Sequence, residues 1–419
     1  YRMKRRKNMT SKTTSLEKKW IMYDIGNSAF TLLVSTIMPI YFNFLADSAH
    51  ISETNYLAFW GYATSIATII TAILGPILGT ASDFKGWKKK LFMVALLIGA
   101  LGCILLGFTS SWLWFLCLFV IAKSAYSLSL VFYDSMLIDI TTPERMDNVS
   151  AKGYAWGYIG SCIPFIASLA LVLFYEQLSL TMETAMSICF LLIALWWLLL
   201  SVPLILGYHQ TYYLEKENHY VKASFLRLKN IFVDLKKNPK VLFFLIAFFF
   251  YIDGVYTIID MATAYGTALG LDTTGLLLAL LLTQIVAFPA ALIFGKLSSS
   301  IENTKLIKIC IFAYFLIALY GITLQQQYQF WILAVGVGIF QGAIQSLSRS
   351  YYAKIIPANR SGEYFGLYDI CGKGASFMGT TLVSLISQVT GMMNIGVGSL
   401  AIMFFIGFVF FKKTEKLHQ

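Results

Sequence analysis

Charge is what this sequence has least of. Only 13% of its 419 residues are Asp, Glu, Lys or Arg, and 58% are hydrophobic; an ordinary soluble chain is about 25% charged. That leaves too little polar surface to cover a soluble fold, so the two or three soluble domains that length alone would suggest are excluded. Histidine is scarce: His50, His209, His219 and His418 all lie outside the apolar runs, which excludes a histidine proton relay within them. No G-x-x-x-x-G-K-S/T loop occurs, so nucleotide hydrolysis is not expected to drive the protein. No loop carries a nucleophile–base–acid set, and an enzyme is not expected. The six cysteines (Cys103, Cys117, Cys162, Cys189, Cys310, Cys371) fall inside apolar runs without metal spacing. They read as small buried hydrophobes rather than a disulfide frame or a metal site.

What is present is a near-continuous series of apolar runs of membrane-spanning length. Helices are expected at 20–46, 55–82, 90–109, 111–140, 150–175, 184–207, 241–268, 273–299, 304–324, 328–354, 361–388 and 391–411. Backbone polar groups in lipid must be satisfied within each segment, so these runs must be helical. The expected fold is an all-α membrane protein with twelve transmembrane helices in two six-helix bundles. Residues 1–19 are basic and polar (Arg2, Lys4, Arg5, Arg6, Lys7, Lys12, Lys18, Lys19), and the first apolar run, from Trp20, is too long for a signal peptide. A cleavable leader is therefore not expected.

Charge sets the orientation. Loops 47–54, 110, 176–183, 269–272, 325–327 and 389–390 contain no Lys or Arg. Of 32 basic residues, only Lys123 and Lys373 are expected mid-span, leaving 30 on one side. Positive loops mark the cytoplasm, so both termini are expected there, in the plasma membrane if the source is bacterial. The +11 net charge suits an anionic inner leaflet and requires no nucleic acid. The chain divides into a basic N-terminus (1–19), a first bundle (20–207), a linker (208–240), a second bundle (241–411) and a tail (412–419). In the linker, Val221, Phe225, Leu228, Phe232 and Leu235 recur at helical spacing with lysines between, which predicts an amphipathic surface helix ended by Pro239.

The halves echo each other. FYDSMLIDITTPERMDNVSAKGYAWGYIGS from Phe132 and LSRSYYAKIIPANRSGEYFGLYDICGKGAS from Leu347 occupy equivalent places after the fourth and tenth spans. A parallel repeat of this kind fits the major facilitator architecture. A weaker echo joins YDIG at Tyr23 to YIDG at Tyr251.

Ionisable residues inside a bilayer point to function by default. Asp24, Asp134, Asp253, Asp260, Asp369, Lys123 and Lys373 lie in spans one, four, seven and eleven only. Spans three, six, nine and twelve carry none and are expected to face lipid. Polar stripes at i, i+3, i+4, i+7 run along the charged spans: Asp24, Asn27, Ser28, Thr31 and Ser35; Lys123, Ser127 and Asp134 beside Tyr126 and Tyr133; Asp253, Tyr256, Asp260, Thr263 and Thr267; and Gly362, Gly366, Asp369, Lys373, Ser376, Thr380 and Ser384. At 1.5 Å per residue, Lys123, Lys373 and Asp253 lie roughly 18 Å deep, near the midplane. Such a site suits a polar or zwitterionic solute, with a lysine for a carboxylate or phosphate and Asp253 for a cation or proton. Asp369 and Lys373, at i, i+4, can instead form a structural pair. Two lysines against five acids leave three acids unpaired, as proton coupling requires, though sodium is an alternative coupling ion. Tyr154, Trp156, Tyr158 and Tyr265 are candidate cavity walls, against the plainer reading of packing aromatics.

GTASDFKGWKKK from Gly79 resembles the loop signature of the major facilitator superfamily. The resemblance gives Asp83 the role of bracing the two halves, with Gly79 and Gly86 as gating positions. Phe84 stands where the pattern expects a basic residue. In the second half, GKLSSSIENTK from Gly295 has Ser299 in place of the Asp, so the brace is expected on one side only. WIMYDIGNSAFTLLVSTIMPIYF, FFFYIDGVYTIIDMATAYG and IPANRSGEYFGLYDICGKGASFMG, in this order, resemble the vacuole-effluxer-like branch of that superfamily. The resemblance implies alternating access and solute export, with amino-acid efflux in fungal members.

The reading is a secondary active transporter of a small polar, amino-acid-like solute, proton-coupled, monomeric, and without a cofactor. The alternatives are an exporter or flippase of amphipathic or lipid-linked compounds, and a non-transporting sensor or assembly protein.

Overall fold

The computed structural model describes residues 12–215, 231 and 233–417. The helices are α1 (Ser15–Ser48), α2 (Glu53–Ser82), α3 (Trp87–Leu106), α4 (Trp112–Ile140), α5 (Met146–Leu173) and α6 (Met182–Gly207), then α7 (Pro239–Ala268), α8 (Thr273–Leu297), α9 (Asn303–Gly321), α10 (Gln327–Ile355), α11 (Ser361–Thr390) and α12 (Met393–Lys416). Eleven described helices are long and apolar enough to cross a membrane. The twelfth, α11, is 30 residues long. Among the described residues the only β pairing is a bridge between Phe84 and Leu214.

Local chemistry explains where helices start. α1 begins before Trp20 because Thr14 and Glu17 form a capping box: the Glu17 amide donates to Thr14 Oγ1 at 3.2 Å, and the Thr14 amide donates to Glu17 Oε2 at 2.7 Å. Gly86 precedes α3 at φ 75°, a conformation that costs a glycine nothing. α1 is interrupted by a π turn at Leu33–Ile37. Pro39 follows directly, and the extra residue accommodates its missing amide and its ring.

The packing repeats with a shift of six helices. Pairs α1–α5, α1–α6, α2–α4, α3–α4 and α3–α6 recur as α7–α11, α7–α12, α8–α10, α9–α10 and α9–α12. The cross pairs α2–α11 and α5–α8 exchange under the same shift. This is the two-bundle major facilitator fold. α3, α6, α9 and α12 lie outside and expose apolar residues (Leu97 and Leu101, Leu195 and Leu199, Phe312 and Leu316, Ile402 and Phe405). Without water to repel them, these faces are satisfied by lipid. The predicted amphipathic linker helix lies for the most part outside the described residues. Of its apolar positions only Leu235 is described, and it is buried.

Candidate functional site

The two halves meet tightly at the end of the bundle that bears the termini. α2 and α11 approach through glycine. A Cβ on Gly79 would collide with the Gly362 carbonyl, and one on Gly366 would meet Pro76 at 2.8 Å. Contact this close places the Asp83 carboxylate on the start of α11, where the Gly362 and Glu363 amides donate to its two oxygens at 2.7 and 2.9 Å. A carboxylate at a helix N-terminus satisfies orphan amides and meets the positive end of the dipole. Asp83 is fully buried. Burial pushes its carboxyl up to about 7, against the downward pull of Lys88 and the two amides. Lys88, also buried, reaches Asp83 and Asp139 at 3.8 Å and donates to Ser361 Oγ at 2.6 Å.

The second cross-half cluster centres on Asp147, at the start of α5. It accepts from Ser350 Oγ (2.6 Å), Asn303 Nδ2 (2.6 Å) and Lys354 Nζ (2.6 Å), all in the second half. Ser299, in the place of the missing second-half Asp, bonds only the Lys296 carbonyl behind it. The Asn148 amide reaches the Gly295 carbonyl instead, at 3.3 Å.

Between these clusters lies Arg349, which sequence reading placed in the inner loops and left out of the mid-span charges. The structure corrects that. Arg349 is inside α10, 1% exposed. It donates to Asp134 Oδ1 on α4 at 2.9 Å and Asp24 Oδ2 on α1 at 3.2 Å. It also donates to the hydroxyl and carbonyl of Ser150 on α5 at 2.9 and 3.1 Å. Its guanidinium carbon sits 4.6 Å from the Trp20 ring centre and 4.3 Å from that of Tyr154, close enough for cation–π attraction. Asp24 and Asp134 are therefore not among the unpaired acids. One signal was available: Asp134 and Arg349 are the third residues of the two repeat segments, and the eighth residues, Asp139 and Lys354, are also opposite in sign. The repeat keeps the place and inverts the charge.

The cross-half hydrogen bonds described above lie toward the end bearing the termini, and further along α5 the Tyr158 hydroxyl donates to Gln345 Oε1 at 3.3 Å. Beyond it the polar stripes are exposed: Thr31 and Ser35 on α1, Asp260 on α7, Ser384 on α11. The Thr31 and Tyr126 hydroxyls bond at 2.6 Å. Tyr126 lies in the field of Asp24, Asp134 and Asp369, and Tyr256 in that of Asp369, Asp134 and Asp260. Lys123 on α4 acts electrostatically on Asp260 on α7, so these opposite charges face each other across the two halves. Beside Asp260, α7, α8 and α10 line a small, partly open pocket. Its walls are mainly apolar (Ile259, Leu280, Phe330, Val337), with Gln284 and Gln341 as its amides. Gln341 is buried and its Oε1 has no partner.

Other expected residues lie elsewhere. Asn27 is buried and donates to the Tyr23 carbonyl and to Asp24 Oδ1, at 3.1 and 3.4 Å, buttressing Asp24. Asp253 is fully buried between α7 and α11. Its Oδ1 accepts from the Gly379 amide (3.0 Å) and the Thr257 hydroxyl (3.3 Å), and its Oδ2 has no partner. The side chain of Lys373 lies outside the described residues. Gly86 has open space where a Cβ would stand, and its amide donates to Gln210 Oε1 at 2.9 Å. Tyr265 is core, with its hydroxyl on the Gly321 carbonyl at 2.8 Å. Trp156 is exposed and meets Phe288 edge-on.

Comparison with known proteins agrees with the fold. The sequence matches the family described as "Vacuole effluxer Atg22 like" over residues 12–416. An uncharacterized MFS-type transporter, YxiO of Bacillus subtilis (strain 168), is 40% identical over 406 residues, covering 96% of this chain and 95% of that one. Autophagy-related protein 22 of Coccidioides immitis (strain RS) is 23% identical, covering 84% and 71%. Among solved structures, a bacterial homologue of the iron transporter ferroportin in an outward-facing state superposes with TM-score 0.69 at 14% identity, over 95% of this chain and 99% of that one. The E. coli fucose:proton symporter FucP does so with TM-score 0.69 at 15% identity, over 96% and 97%. These structures share the fold.

Proposed function

We propose, on the premise that this chain belongs to the vacuole effluxer Atg22-like family of major facilitator transporters, that it exports a small zwitterionic, amino-acid-like solute by alternating access in exchange for protons. It is a multi-pass membrane transporter and not an enzyme. The end bearing the termini is read as cytoplasmic, from the basic loops, and the membrane as the cell membrane, with a single chain as the working unit.

The observation that carries the reading is Arg349, held on one half and paired with two acids of the other. A buried pair is strong while intact and costly when one partner is lost. Asp134 is the more accessible acid, its side chain 18% exposed against 8% for Asp24. A proton entering from outside neutralises Asp134, Arg349 loses a counter-charge, and the cytoplasmic side parts. On release of the proton inward, Asp134 and Arg349 pair again and the cytoplasmic side closes, carrying a bound solute outward. Lys123 and Asp260 suit the solute's carboxylate and ammonium, with Tyr126, Tyr256 and Asp369 as polar lining. Asp253, with one oxygen unpartnered, is read as a second proton site.

A second reading, export of amphipathic compounds, is favoured by the apolar pocket beside Asp260. A thermal-shift screen at pH 5.5 and 7.5 separates the two. A zwitterion at a hundred times its Kd should stabilise the protein by about 2.7 kcal/mol, and Asp260→Asn or Lys123→Ala should remove the shift. Asp134→Asn should remove its pH dependence, and Asp253→Asn should abolish proton-coupled transport with the fold intact. Stabilisation by lipid-linked ligands alone establishes the second reading. A sodium-dependent shift replaces the proton by sodium.

A further inference from the structure

The residues leading into α7 and those ending α12 carry the same pattern: Lys236-Lys237-Asn238-Pro239-Lys240 and Lys412-Lys413-Thr414-Glu415-Lys416. The two helices pack closely, with Gly254 against Phe404 and Gly407 against Tyr251. The fold therefore sets two K-K-x-x-K segments side by side at the end bearing the termini. Lys236, Lys237, Lys412, Lys413 and Lys416 are exposed. The nearby acids are engaged by other cations, Glu415 with Lys308 at 2.7 Å and Asp234 with Arg360 at 2.8 Å. Lys413 lies 5.8 and 5.2 Å from the ring centres of Phe243 and Phe410, which stack at 6.2 Å.

The apolar side of the patch continues along one face of α12. Ile402, Phe405 and Val409 are exposed and fall at i, i+3, i+7, with Lys412 and Lys416 next on the same stripe. The first half matches this only in part: α1 starts with Lys18 and Lys19, but α6, the mate of α12, ends Ser201-Val202-Pro203-Leu204-Ile205-Leu206-Gly207 without a basic residue. A general basic bias of the inner loops does not explain this asymmetry.

We propose that this patch binds the headgroup of an anionic phospholipid, with the phosphate among Lys236 and Lys237 before α7 and Lys412, Lys413 and Lys416 of α12, and an acyl chain along Ile402, Phe405 and Val409. Lysine suits phosphate as a compact point charge. A basic cluster directly beside a membrane helix draws anionic headgroups. The site would anchor the second half, which carries Arg349, to the inner leaflet.

The test uses the full chain in nanodiscs of phosphatidylcholine alone or with phosphatidylglycerol. The unfolding midpoint should rise with phosphatidylglycerol, and native mass spectrometry should show that lipid retained. Replacing Lys236, Lys237, Lys412, Lys413 and Lys416 by Gln should remove both effects, and replacing the same five by Arg should keep them. Replacing Lys85, Lys89 and Lys90 by Gln, on the same side but away from the patch, should also keep them. Retention by the five-Gln variant overturns the site. So does equal loss in the three-Gln variant, which would mean diffuse surface charge. An equal midpoint rise with inorganic phosphate or glycerol phosphate in detergent overturns the lipid assignment in favour of a free anion.

Discussion

Replacing Arg349 with Gln tests the reading most directly. Glutamine keeps the helix and some hydrogen bonding to Ser150 but carries no charge. Asp24 and Asp134 are then left without the cation that pairs them at 3.2 and 2.9 Å. Removing one member of a buried pair costs about 3–5 kcal/mol. Here the cost falls on the closed state of the end bearing the termini, because the pairs cross between halves and are broken when that end opens. At about 1.4 kcal/mol per decade, this shifts the closed–open equilibrium roughly 100- to 4,000-fold toward open. Inverting a 99:1 population takes about 5.5 kcal/mol, so the upper end of this range brings a single substitution close to reversing the resting state. Ser346 reports on it. It is fully buried, and its carbonyl accepts from Ser150 Oγ across the halves at 2.8 Å. A Ser346→Cys probe, with the native cysteines replaced, should react with a permeant thiol reagent roughly 100-fold faster or more in the Arg349→Gln background. An unchanged rate would refute the lock. Equal acceleration when Asp24 and Asp134 are also changed to Asn would show that the stranded carboxylates are not its cause.

Two further outcomes follow from the same end of the molecule. Gly79→Val puts a branched side chain against the Gly362 backbone, which cannot rotate away; transport should be lost while both bundles stay folded, with Ser346→Cys labelling raised as in Arg349→Gln. The Asp83 carboxyl, pushed up to about 7 by burial, returns toward its ordinary 3.8 when that side opens. The closed state therefore gains from its proton, a contribution fully present below about 4 and lost as pH rises through about 7. Ser346→Cys labelling should rise with pH across that window, and Asp83→Asn should flatten this component of the profile.

Much of the fold was legible because lipid imposes a simple rule. A run of apolar residues long enough to cross must be a helix, and basic loops report its direction. The helix limits differ from the sequence expectation by a few residues, mostly at caps such as Thr14–Glu17, where a capping box extends a helix beyond its apolar run. The outer position of α3, α6, α9 and α12 was readable because a helix facing lipid carries no charge at mid-span. The contact between the halves was partly readable. Asp83 and Gly79 stand in a recognisable signature, whereas Arg349 was hidden in a stretch that composition assigns to a basic loop.

By itself, then, the sequence determined the apolar helices, the repeat of the two halves and the helices that carry charge, because each depends on residues near one another in the chain. Which charges meet was decided only by tertiary structure. Arg349 finds Asp24, 325 residues away, and Asp134, 215 away; Asp83 finds the start of α11 across 279. Periodicity gives the face of a helix but not its neighbour. Burial of a cation between the halves becomes affordable only once packing has set its counter-charges around it.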